Sequence, residues 1–245
     1  MVVLKKIYLF LIVILGLGAC SKHDPILPGV RHDIFDSNDI TIENKEVPDL
    51  SNVAKHISGD EKCDYRQDSS NTVWDGDKKL FSGFSGDNFV KSAQSPVCDG
   101  QYIYTGLSTG EVIKLNKNGK LIWMADVFRA SNMMGGASVV DIVAHVGLDG
   151  KYVYAGGLGD AFCKLNANSG NKIWCLEISV PVDFIIVDDF SFVVGGDNNL
   201  YAIDNKNGSV YWKTEIKKQK KPVFENGIIR VGKEKINYKD GSIEK

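Results

Sequence analysis

Residues 194–212 read "VGGDNNLYAIDNKNGSVYW". An apolar strand leads into an Asn/Gly-rich turn, and a second strand ends on Trp212. Nearly the same phrase stands at 105–123, "TGLSTGEVIKLNKNGKLIW", and at 156–174, "GGLGDAFCKLNANSGNKIW". The three are preceded by "DGQYIYTG", "DGKYVYAGG" and "DDFSFVVGG", so each copy predicts strand, turn, strand, turn and a Trp-ending strand. Trp123, Trp174 and Trp212 are spaced by 51 and 38 residues. A period of roughly 40 with several short strands per unit is the pattern of propeller blades. One unit cannot bury both faces of its sheet, so the copies must stack. A large aromatic at the same place in each copy covers the gap between neighbouring sheets.

The copies extend in both directions. A further one begins at "FENGIIRVGKEKINYKDGSIEK" (224–245) and has no Trp strand, while "NTVWDGD" (71–77) is a Trp strand with no copy before it. Joining them predicts an all-β propeller of about four blades, near 85–127, 136–178, 182–216 and 222–245 plus 71–78. The N-terminal strand then closes the last blade and removes an exposed edge. Trp74 joins Trp123, Trp174 and Trp212 as the expected docking residues.

Composition agrees with a folded domain. The chain has 245 residues, 43% hydrophobic and 24% charged, with a net charge of −2. A nucleic-acid binder would usually be basic, so no nucleic-acid partner is expected. No amphipathic helical stretch follows the first twenty residues.

Those twenty residues read as an export signal. Lys5 and Lys6 precede an apolar run, Ile7–Leu15, and Leu17-Gly18-Ala19-Cys20 ends it. The run is too short for a membrane span. Cys20 directly after small residues is similar to a bacterial lipobox, which implies a signal peptide over 1–19 and lipidation of Cys20. Acyl chains would then hold the protein on a membrane. Ser21 follows in place of an Asp, which favours the outer membrane, facing the periplasm. Removing Lys5 and Lys6 takes the net charge to −4. Residues 20–70 contain Pro25, Pro28 and Pro48 and many polar residues without periodicity, and read as a lipidated cysteine with a flexible tether. The propeller domain is expected over 71–245.

Cys63, Cys98, Cys163 and Cys175 remain. Export makes pairing feasible, and Cys163 and Cys175 flank one hairpin turn where they could face each other. The same pair could equally be two small buried apolar side chains. No C-x-x-C motif exists, so no metal site is expected.

The repeat "YAIDNKNGSVYW" resembles the PQQ-type propeller repeat, and a lipobox ahead of such repeats resembles the family of the outer-membrane assembly lipoprotein BamB. The stretch "VVDIVAHVGLDGKYVYAG" (139–156) is similar to an Asp-Ile-x-Gly-His-Pro-like string before a blade in that family, with Ala144 in place of the Gly and Val146 in place of the Pro. The resemblance implies a non-enzymatic scaffold that docks on the barrel protein BamA, with Asp141 and His145 in the docking region. The Met pair of "MMGGAS", Met133 and Met134, reads as packed under a loop, with an adaptable apolar contact surface as the other reading. The family has eight blades and this chain has material for about four. A tight four-bladed ring, a homodimer sharing one ring, and a shortened remnant are therefore all consistent with the sequence.

PQQ repeats also occur in quinone-dependent dehydrogenases, which use a catalytic Asp, a calcium site and often a vicinal disulfide. No adjacent cysteines and no calcium-type loop occur here. No H-E-x-x-H, G-x-S-x-G or P-loop is present. No catalytic residue and no cofactor is expected. His145 is the only histidine of the repeat region and reads as structural. Lys217, Lys218, Lys220 and Lys221 form a basic run that reads as a solvated loop, with contact to anionic head groups as the other reading.

Overall fold

The computed structural model describes residues 40–50, 56–57, 63–84, 94–128 and 139–244. The signal-peptide segment, Cys20, Met133 and Met134 lie outside the described residues. Asp39–Lys245 forms one compact unit.

The described residues form only antiparallel sheets, five in all. The first sheet holds β2 (Tyr65–Gln67), β3 (Thr72–Asp75) and β4 (Lys78–Ser82). The second runs β5 (Val97–Cys98), β6 (Tyr102–Gly106), β7 (Glu111–Asn116) and β8 (Leu121–Asp126). The third runs β9 (Gly147–Leu148), β10 (Tyr152–Gly156), β11 (Phe162–Asn166) and β12 (Lys172–Leu176). In the fourth, β1 (His56–Ile57) pairs with β13 (Phe184–Val187), followed by β14 (Phe190–Val194), β15 (Asn199–Asp204) and β16 (Val210–Glu215). The fifth holds β17 (Pro222–Glu225), β18 (Ile228–Val231) and β19 (Glu234–Asn237). The expected all-β, propeller-like architecture is therefore present.

Each neighbouring pair of sheets encloses its own apolar cluster. Val73 meets Ile103 and Ile113 between the first and second sheets. Val112 and Trp123 meet Val153 and Leu165 between the second and third. Tyr154 and Phe162 meet Phe184 and Val193 between the third and fourth. Phe192 and Trp212 meet Ile229 and Ile236 between the fourth and fifth. The inner strands are buried on both faces, which is why they read as continuous apolar runs rather than alternations.

The copies share one irregularity. A register shift follows Lys114 in β7, Lys164 in β11 and Ala202 in β15, and these residues lie opposite Trp123, Trp174 and Trp212. The first sheet has the same shift after Val73, and there Trp74 sits opposite Lys79. Val73 thus occupies the Lys114 position of the repeat and Phe81 the Trp123 position, while Trp74 stands one residue further on, at the Leu115 position.

That register corrects the sequence reading at the chain ends. The strand at Trp74 does not complete the last blade; it pairs with β2 and β4 in a sheet of its own. The outer edge of β19 is taken by the chain's own end, where Ile243 bridges Ile236 and Glu244 donates its N–H to the Lys235 carbonyl. The described fold has five sheets in place of four blades.

The fold also begins earlier than residue 71. Residues 40–50, read as tether, form a strap along the fourth and fifth sheets. Ile42 bridges Val210 in parallel, Glu43 and Lys45 donate N–H groups to the Val210 and Tyr211 carbonyls, and Val47 donates to Lys239. Val47 and Leu50 are buried in the last cluster. Their contacts are long-range, so no local periodicity announced them.

Candidate functional site

Three seams are clamped by one device. Trp123 donates Nε1–H to the Ala167 carbonyl at 3.0 Å, Trp174 to Asn205 at 3.2 Å and Trp212 to Tyr238 at 3.1 Å. Each acceptor lies in the turn of the next sheet. A glycine three residues further on lies beneath the indole: Gly170, Gly208 and Gly241, all at positive φ. A Cβ there would stand 2.8 Å, 3.1 Å and 2.7 Å from the ring, so only glycine serves both the backbone twist and the close approach.

Two of the clamps carry a buried lysine. Lys114 Nζ donates to the same Ala167 carbonyl at 2.9 Å, and Lys164 Nζ to Asn205 at 2.6 Å. Their amines lie 3.9 Å and 3.8 Å from the ring centroids of Tyr102 and Tyr152. Burial holds the Lys114 amine below the ordinary lysine range, opposed by the Asp99 charge. Burial raises the Tyr104 and Tyr154 hydroxyls, helped by hydrogen bonds to Asp99 and Asp149. These lysines and tyrosines are structural clamps. Sequence reasoning passed over them, although a lysine inside an apolar strand in two copies was the available signal.

Trp74 makes no such clamp. Its Nε1–H donates to Asp68 within the first sheet at 2.8 Å, and Arg66 and Lys79 lie over its ring. Burial would raise the Asp68 carboxyl, but hydrogen bonds from Ser70, Trp74 and the Thr72 and Ser70 backbone outweigh it and hold the pKa at about 2. Between the first and second sheets the indole is replaced by other bonds. Cys63 and Cys98 form a disulfide. Asn71 donates to Ser108 Oγ at 2.8 Å and accepts from Ser108 N–H at 2.9 Å, and Gln67 donates to the Gly106 carbonyl at 2.8 Å. Cys163 and Cys175 also form a disulfide, across β11 and β12.

The expected docking side chains Asp141 and His145 are interior, only 2% and 4% exposed. The Asp141 carbonyl accepts Leu158 N–H at 2.9 Å and lies where a Cβ on Gly157 would be 2.1 Å away. His145 Nδ1 bonds Asp183, and the imidazole stacks on Phe184 at 4.4 Å. Asp183 also accepts N–H bonds from His145 and Phe184, and Lys221 Nζ lies 3.8 Å away. Both side chains lie inside the fold, and His145 ties its own stretch to Asp183. Their chemical character suggested exposure, whereas the stacking of sheets buries them.

Contact surface is offered elsewhere. The outer strands β8 and β12 expose Leu121, Ile122, Met124 and Ile173, between 39% and 45%. An open cleft of about 460 Å³ between the third and fourth sheets is lined by Asp160, Glu177, Ser179, Asp197 and Tyr201. Asp197 there accepts the Tyr201 hydroxyl at 2.5 Å and Asn199 Nδ2 at 2.7 Å. Among the described residues no group of three or more His, Cys, Asp or Glu side chains could hold a metal ion.

The fold has counterparts. The BamB structure from Moraxella catarrhalis superposes with a TM-score of 0.56 at 15% identity, covering 70% of this chain and 56% of that one. The chain therefore spans little more than half the length of that relative. A europium-containing methanol dehydrogenase gives a TM-score of 0.45 at 17% identity, covering 56% of this chain and 27% of the enzyme. No curated protein matches the chain. The family model of the outer membrane protein assembly factor BamB matches residues 38–214, strap and clamped sheets together, so the chain belongs to that family.

Proposed function

We propose that the protein is a non-enzymatic, lipid-anchored scaffold of outer-membrane β-barrel assembly. Cys20 carries the lipid, the domain sits at the periplasmic face of the outer membrane, and a BamA-like barrel protein is the partner. The observation that carries this reading is the family match over 38–214. The fold adds support: the buried Lys114 and Lys164 and the three clamping indoles hold sheets together.

The contact surface follows from the edges. The outer edge of β16 already accepts an extended segment, the strap at Ile42–Lys45. The equivalent edges of β8 and β12 carry exposed Ile122, Met124 and Ile173 and suit an added strand of a partner. Met133 and Met134 lie in sequence between β8 and residue 139, and His145 bonds Asp183 just beyond. A photo-crosslinker placed at Met124 or Met134 in the lipidated protein tests this. A crosslink to the BamA-like protein is expected, and recovery of the scaffold uncrosslinked from an envelope that contains BamA would sink the proposal. Unfolding temperatures measured with PQQ and calcium should not move; a saturable rise would favour the dehydrogenase-like alternative.

A further inference from the structure

We infer that the fifth sheet is a docking face for an anionic lipid surface. Charge is distributed unevenly along this chain. Residues 216–239 hold eight Lys and Arg against Glu225 and Glu234, a net of +6, which leaves −8 for the rest of a chain whose total is −2. A solvated loop needs no such concentration. The fold also gathers it on one sheet rather than dispersing it.

Two groups of cations meet there. Val223, Arg230 and Lys235 are cross-strand neighbours on β17, β18 and β19, and all three are exposed. The loop ahead of β17 folds onto the β18–β19 turn: Lys217 donates its N–H to Glu234 at 2.8 Å, and the Lys220 side chain lies 3.5 Å from the Cβ position of Gly232. This brings exposed Lys217, Lys218 and Lys220 beside exposed Lys233. Arg230 approaches Glu225 at 3.6 Å, and it is the only one of these cations with an ion pair among the described residues. The opposite face of the same sheet, with Ile229, Val231 and Ile236, is buried against the fourth sheet. The outward face is therefore cationic around an apolar Val223, which suits the boundary between head groups and acyl chains.

The route of the chain favours a membrane over other anions. This step rests on the proposed acylation of Cys20. Nineteen residues separate Cys20 from Ile40, where the strap begins. The strap then bonds the fifth sheet itself, through Val47 to the Lys239 carbonyl and Leu50 N–H to the Tyr238 hydroxyl. The strap thus enters on β16 and ends on the basic sheet, so the N-terminal end of the described fold lies beside that face. Tethering raises the effective concentration of that face at the surface.

Lysine acetylation rates, read peptide by peptide, test the inference on the full lipidated chain. The chain is reconstituted into vesicles of phosphatidylcholine alone or mixed with phosphatidylglycerol. On the mixed vesicles, Lys217, Lys218, Lys220, Lys233 and Lys235 should react about tenfold more slowly, while exposed Lys120, Lys151 and Lys172 keep their rates. The slowing should vanish at about 1 M salt, where the Debye length is roughly 3 Å. The variant Lys217→Glu, Lys218→Glu, Lys220→Glu and Lys233→Glu should stay anchored with an unchanged unfolding temperature, yet leave Lys235 unprotected. Equal rates on both vesicles would overturn the inference, as would protection by envelope proteins without lipid. The mass of the N-terminal peptide reports acylation separately. An unacylated chain that sediments with phosphatidylglycerol vesicles would refute the anchor and keep the docking face.

Discussion

The seam between the first and second sheets and the seam between the fourth and fifth face the same problem with different chemistry. Both must join two small sheets that cannot bury their faces alone. The later seam places Trp212 on Gly241, with its N–H on the Tyr238 carbonyl. The earlier one has no indole. The Leu80 peptide lies over Gly119, where a Cβ would stand 2.2 Å from its carbonyl oxygen, and a disulfide and an amide network do the joining. An indole fills volume and needs no particular redox state, whereas a disulfide ties the sheet only in an oxidising compartment. The repeat is therefore one architecture closed in two ways, and the two should fail differently.

The largest expected effect is at the indole seam. Trp212→Ala should lower unfolding free energy by about 3–5 kcal/mol, since it opens a cavity and leaves the Tyr238 carbonyl without a partner. Chemical denaturation reads it, and a loss under about 1 kcal/mol would break the comparison. Next, Cys63→Ala with Cys98→Ala opens a loop of 35 residues. By chain entropy the loss is about 3–4 kcal/mol, and amide exchange should rise in Tyr65–Ser82 and nowhere beyond β8. A uniform rise would mean that this seam is no weaker than the rest.

Smaller effects sharpen the contrast. Lys164→Met removes one of two donors from the Asn205 carbonyl and should cost about 1–2 kcal/mol, less than Trp174→Ala. Equal losses would mean that the amine, not the indole, closes that seam. The smallest is electrostatic. The depressed Asp68 carboxyl contributes stability that is present above its ordinary value near 3.8 and is lost as pH falls through about 2. Because Asp68 is only half-buried, solvent screening should keep the change below about 1 kcal/mol, confined to the first sheet and absent in Asp68→Asn. Exchange measured across that pH range checks it.

The repeat itself was legible because it is local. Each Asn/Gly turn, each Trp and the alternation between them lie within some twenty neighbouring residues, and the three intact copies fold as read. Trp74 misled because a tryptophan in a strand looks alike at two positions of the repeat. Only the register, with Lys79 opposite, tells them apart. The strap and the Cys63–Cys98 bond are set by distant partners, which leave no trace in local pattern. Asp141 and His145 were recognisable as special, yet the stacking of sheets, not their chemistry, decides that they face inward.

The strap has a consequence in time. Leu50 bonds Tyr238 across 188 positions of the chain. The middle sheets form from contacts between neighbouring segments, but the strap cannot seat Val47 and Leu50 until Tyr238 and Lys239 are in place. Until then two apolar side chains of the strap and the cluster they cover stay open to water, and this late-closing seam is where a partly folded molecule is most open to mispairing.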